Sequence, residues 1–201
     1  MKVNINYISL YYKNKSFLAL ILCVLFNTLL ITKTSVGQEN LRKAEKSFRD
    51  WSVFVSKDEP KMCFIASQSV KGEAFRNSQK LSSVNREKGT LYIIKTVNKS
   101  EGYEGTFYAG YPLQVGSKAV LEIDKKEKIV FFAHPSPKAK AEKEHAWAQK
   151  YDHKKLIDHL KKGSKAIMSA ISHRNTVTKD TFMLTGFSDA LAELEKRCDL
   201  N

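Results

Sequence analysis

WSVFVS at residues 51–56 and MCFIASQS at 62–69 are the stretch whose reading decides the fold. Trp51, Val53 and Val55 alternate onto one face of the first run, and SKDEPK at 56–61 supplies turn residues before the second. A two-residue period belongs to a strand that turns one face to a core. The same pattern continues outward. TLYIIKTV (90–97) follows an NREKG turn, and EGTFYAGYPL (104–113) stops at Gly110 and Pro112. KAVLEID (118–124) and KIVFFA (128–133) flank a hairpin turn at Asp124 to Glu127, and KAIMSAIS (165–172) and DTFMLTG (180–186) flank HRNTVTK. Short runs rich in β-branched and aromatic residues, separated by turn residues, predict an antiparallel all-β domain.

Two segments change to helical spacing. Lys154 to Lys162 places Leu156, Ile157 and Leu160 on one face and stops at Gly163, a residue favoured at helix ends. In FSDALAELEKRC, Phe187, Leu191, Leu194 and Cys198 fall at i, i+4, i+7 and i+11, one continuous stripe. Ser188 and Asp189 at its start offer a cap and a negative charge near the positive helix end. Residues 134–162 are less regular and read as an exposed basic connection around a short strand near Trp147. The expected architecture is mainly β: an antiparallel sandwich or barrel-like domain over 50–201 with two short helices, one C-terminal. Residues 38–49 precede it as a flexible or weakly helical lead-in.

At the N-terminus, Lys2, Lys13 and Lys15 precede an apolar run from Phe17 to Ile31, then Ser35-x-Gly37. A positive start, an apolar core and small residues at −3 and −1 describe a secretory signal, with cleavage expected before Gln38. The apolar run has 15 residues and contains Asn27, short of the ~20 a spanning helix needs. No stable transmembrane span is therefore expected after cleavage. Cys23 lies inside that core behind bulky Leu22 and goes with it. Two cysteines remain, Cys63 and Cys198, in a compartment where disulfides persist. Cys198 sits on the helix stripe that faces the sheet carrying Cys63, which agrees with a bridge; two free thiols are the other arrangement. The bridge would close about 136 residues, a loop that the chain-entropy model values near ~5 kcal/mol.

The signal accounts for four of the 34 basic residues and none of the 21 acidic ones, so the remaining 164 residues carry about +9. Such an excess favours anionic neighbours, anionic lipid or lipopolysaccharide before nucleic acid, because the cations are mostly solvated lysines. Residues 138–162 hold eight lysines against four acids. Lys138, Lys140, Trp147, Tyr151, Lys154 and Lys155 are the expected contact with an anionic partner.

Catalytic patterns are missing. His134, His145, His153, His159 and His173 form no H-x-x-x-H pair, and there is no G-x-S-x-G elbow or S-x-x-K pair. The stretches at Gly116-Ser117-Lys118 and Gly163-Ser164-Lys165 lack the order of a phosphate loop. No catalytic residue, cofactor or metal ligand is assigned. The aromatic residues Trp51, Phe54, Phe64, Tyr92, Phe107, Tyr108, Tyr111, Phe131, Phe132 and Phe182 fall on strands and read as core or sheet surface. A periplasmic enzyme or small-ligand carrier would instead need a cleft converging on His134, His145 and a carboxylate.

Three blocks taken together resemble the invasion-associated locus B family of exported alphaproteobacterial proteins. They are DWSVFVSKDEPKMCFIAS (50–67), GYPLQVGSKAVLEID (110–124) and TKDTFMLTGFSDALAELEKRC (178–198), in that order. The resemblance implies a β-rich periplasmic or envelope-associated protein that binds rather than catalyses, and it transfers no catalytic residue. Members often carry a cysteine where this chain has Val55, and a central cysteine pair absent from 131–150. The reduced set leaves Cys63 and Cys198 to pair with each other, and the invasion role behind the family's name is not carried over.

Overall fold

The structure, a computed structural model, describes residues 44–56, 62–96 and 102–199. The expected signal segment, the expected cleavage before Gln38 and the turn beyond Ser56 lie outside them. Among the described residues twelve strands join in one antiparallel sheet. They are β1 (Lys46–Phe48), β2 (Trp51–Val55), β3 (Met62–Gln68), β4 (Lys71–Arg76), β5 (Gln79–Lys80) and β6 (Thr90–Thr96), then β7 (Tyr103–Tyr108), β8 (Lys118–Ile123), β9 (Glu127–Ala133), β10 (His145–Ala148), β11 (Lys165–Ile171) and β12 (Val177–Met183). Three α-helices accompany them among the described residues: α1 (Lys140–Glu144), α2 (His153–Lys162), which a 3-10 turn at Lys150–Asp152 precedes, and α3 (Phe187–Asp199).

The strand order is β1-β2-β3-β6-β7-β10-β9-β8-β11-β12-β4-β5. β3 and β4 stand eight places apart in it, yet only Ser69 and Val70 separate them in the chain. The sheet must therefore curl until its two arms meet at this corner. The Ser69 N–H donates to Gly89 O beside β6, and the Val70 N–H donates to Thr181 O on β12, both at 2.8 Å. Phe107 on β7 and Phe182 on β12 touch edge to face across the interior, with centroids 6.4 Å apart. The result is barrel-like, although β1 and β5 remain as open ends and the sheet does not close.

Alternation places Trp51, Val53, Cys63, Ile65, Leu91, Ile93, Phe107, Leu121, Ile129, Phe131, Met168 and Phe182 on the inner face, all buried. α2 and α3 fill the same side. Leu156 of α2 lies over Gly105, where a Cβ would come 2.3 Å from its Cδ2, so any larger residue there would displace Leu156. Phe187 of α3 meets Trp51 edge to face at 4.9 Å, and the Trp51 indole donates to Met183 O at 3.2 Å. The helix stripe Phe187, Leu191, Leu194 and Cys198 is buried. Cys198 bonds Cys63 across 6.1 Å between Cα atoms, the disulfide expected from the sequence.

Several details differ from the sequence reading. The end of the polar lead-in is β1, which pairs with β2 through Ser47 and Ser52. β4 and β5 carry few apolar residues and give no alternating signal. They are ordered because β4 pairs along β12 from Val177↔Phe75 to Thr181↔Lys71. Gly163 does end α2, but at φ −82°. It is required by space instead: a Cβ would sit 2.6 Å from Ile123 and 2.8 Å from Leu184.

Candidate functional site

With the core and both long helices on the inner face, the outer face should be polar by simple alternation. Over half of the sheet it is not. Phe54, Phe64, Tyr92, Ile94 and Trp147 all point outward and stay half-buried. They line an open groove of about 860 Å³ that crosses β2, β3, β6, β7 and β10. Four strand spacings give it a length of about 19 Å.

The register builds the groove row by row. Ser52 faces Ala66, Ala66 faces Tyr92, Tyr92 faces Thr106, and Thr106 faces Trp147. Small side chains in this row set the floor. Phe54 and Phe64 pair across β2 and β3 and stack at 4.9 Å with planes 9° apart, and Tyr92 meets Phe64 edge to face at 6.0 Å. Trp147 lies at the far end between His145 (6.1 Å) and His134 (6.5 Å).

The floor's hydroxyls are occupied within the protein. Ser52 bonds Ser47 at 2.9 Å, Thr106 donates to Glu104 at 3.2 Å, and Thr90 donates to Lys88 O at 3.4 Å. His145 Nδ1 donates to Ala141 O at 2.7 Å. Among the described residues no lysine or arginine lines the groove, and the one carboxylate in the lining, Asp50, stands at the β2 end. At the β10 end lies α1, whose Ala141 is part of the lining; Lys140 opens this helix and Lys138 lies two residues before it. Glu142 receives the Lys138 and Ala139 backbone N–H groups at 2.6 and 3.1 Å, and these bonds hold its carboxyl below the usual range. Lys140 lies 3.9 Å from Glu144, and Lys118 sits over the Phe132 ring at 5.8 Å.

The six residues expected to meet an anionic partner fall on two faces. Trp147 is in the groove, and Lys138 and Lys140 lie just before Ala141, the residue of α1 that lines it. Ala148, the next residue on β10, points inward beside Gly105 and Leu156, so the sheet separates Trp147 from α2. Tyr151 is 79% exposed. Lys154, paired with Asp158 at 2.6 Å, lines a second depression of about 570 Å³ with Gly102, Tyr103 and His153, and Lys155 is exposed on α2. Phe54, Phe64 and Tyr92 were assigned only to core or sheet surface. The runs VFV, CFI and YII, apolar at both parities, are the signal that marks a covered outer face.

His134 and His145 come together only around Trp147, and no three His, Cys, Asp or Glu side chains gather as a metal site among the described residues. A family model described as Invasion associated locus B (IalB) protein matches residues 51–195. The chain belongs to that family. The match takes in β2 through most of α3, and hence nearly all of the groove and Cys63 of this locus B protein; Cys198 follows it by three residues. No curated protein and no solved structure matches it. An extracytoplasmic place fits the family and the Cys63–Cys198 bridge. No described helix is long and apolar enough to cross a membrane.

Proposed function

We propose that this locus B protein is exported to the periplasm, loses residues 1–37, and works there by binding an anionic component of the cell envelope without catalysing a reaction. The observation that carries this reading is the aromatic groove on the outer face, with lysines at one end. A concave outer face lined mainly by apolar and aromatic side chains is the usual form of a binding site, and half-buried rings give it contact area at little entropic cost. The volume lies in the range of small-molecule sites, which also supports a carrier of one amphiphile over a protein-docking platform. The net positive charge brings anionic surfaces to the molecule.

Sedimentation with vesicles tests the reading. The chain from Gln38 onward should bind vesicles containing phosphatidylglycerol and leave neutral vesicles in the supernatant. Lys138→Glu with Lys140→Glu should lower binding, whereas Lys154→Glu with Lys155→Glu, on the other face, should matter less. Equal binding by all three proteins would reject the assignment.

A further inference from the structure

We infer that the groove seats one acyl chain of an anionic lipid, its tail toward Phe54 and Phe64 and its head group at α1. The inference rests on the proposed envelope-binding role and names what the groove recognises. Three features of the groove select this occupant. A glycan or an extended polar ligand needs free donors and acceptors along the floor, but Ser52, Thr90, Thr106 and His145 already bond within the protein. Apart from the Gln68 amide at the end of β3, what the groove offers is ring faces, Met62, Ile94 and the small side chain of Ala66, which suit an apolar chain. The charges differ by end: Asp50 stands at the β2 end, while around α1 Lys138, Lys140 and Lys143 outnumber Glu142 and Glu144 and draw an anionic head there. The groove thus has a direction, and an amphiphile with one charged end matches it.

The protein's own chain is a poor occupant. After cleavage, the residues preceding the described part are Gln38 to Lys43, QENLRK, with one apolar side chain, Leu41. Nor does the groove offer a strand edge for β-augmentation, because it runs over the face of paired strands.

The two tryptophans allow a direct reading. Trp51 is fully buried in the core and Trp147 is in the groove, so a quencher on the lipid tail reports on Trp147 alone. The probe is lysophosphatidylglycerol brominated in mid-chain, titrated as monomers below its micelle concentration. A saturable loss of emission is expected in the wild type and none in Trp147→Phe. Ala66→Phe, which fills the floor and leaves every lysine in place, should abolish the loss, and Tyr92→Ala, which removes a wall, should weaken it. Lys138→Glu with Lys140→Glu should shift the midpoint by roughly ten-fold or more. Circular dichroism confirms that each variant is folded.

Vesicle binding without bromolipid quenching would overturn this inference and leave the envelope-binding role standing. Failure of both would remove the two together. Equal quenching by a brominated zwitterionic lysolipid would overturn the head-group assignment, and quenching unchanged in Ala66→Phe would place the lipid elsewhere. Displacement of the lipid by an envelope protein at lower concentration would identify a protein occupant and reject the lipid.

Discussion

Arg86 donates from Nη2 to Asp180 Oδ1 at 2.6 Å where the two side chains are 9% and 0% exposed. The same guanidinium reaches Ala109 O at 3.3 Å and lies 5.6 Å from the Tyr111 ring. Arg86 comes from the segment between β5 and β6, Ala109 follows β7, and Asp180 is on β12. One side chain therefore ties together both arms of the curled sheet. Gly72 and Gly89 make room for it, since a Cβ at either would come within 3 Å of the pair.

Removing one partner of this pair should cost much more than removing both. Arg86→Met leaves a buried carboxyl without its cation and should lose roughly 3–5 kcal/mol, whereas Arg86→Met with Asp180→Leu should recover most of that. Urea midpoints of the two variants check the prediction.

The pH dependence of Arg86→Met follows from Asp180. Burial pushes this carboxyl up, and the Arg86 hydrogen bond opposes that shift. A carboxyl raised in the folded state gives stability that is present below its unfolded value and lost as pH rises through the raised value. Without Arg86 the rise is larger, so acidification from pH 7 toward 4 should narrow the gap between Arg86→Met and wild type. Glu193 has the opposite sign. Arg197 at 2.7 Å and Lys46 at 3.3 Å hold its carboxyl low, so the advantage of wild type over Glu193→Gln should vanish as pH falls below the carboxylate range.

Cys63→Ala with Cys198→Ala should lower stability by about 2–5 kcal/mol, because the bridge closes nearly the whole domain. The aromatic groove is on the other face of β3, so lipid binding by the folded fraction should persist. Unfolding curves and vesicle sedimentation on one preparation separate the two effects.

Gly186→Ala tests the corner before α3. Gly186 has φ +88°, and a Cβ there would come 2.0 Å from Phe48 O. The variant should lose roughly 2–3 kcal/mol from backbone strain and displaced β1, which thermal unfolding would show.

Strand periodicity made β2, β3 and β6 to β9 legible, because alternation is imposed by a core on one side. The stripe from Phe187 to Cys198 was readable for the same reason, and it pointed the last cysteine at the first hairpin. β4 could not be read. KGEAFR buries only Ala74 among apolar residues, and what orders it is pairing with β12 about a hundred residues away. The groove was half visible. Phe54, Phe64 and Tyr92 stood out by type, but one-dimensional spacing does not tell which face the helices cover. The lysines of 138–162 were grouped by sequence distance, and the inward turn of Ala148 puts the sheet between the two halves of that group.

Hydroxyl-radical footprinting with phosphatidylglycerol vesicles tests the central claim, that the outer aromatic groove is the binding face. Met62, 39% exposed at the groove edge, and Trp147 should lose oxidation when vesicles are added, while Tyr151 on the α2 side should not change. Protection of Tyr151 with Met62 and Trp147 unaltered would contradict the account and make the α2 face the one that binds.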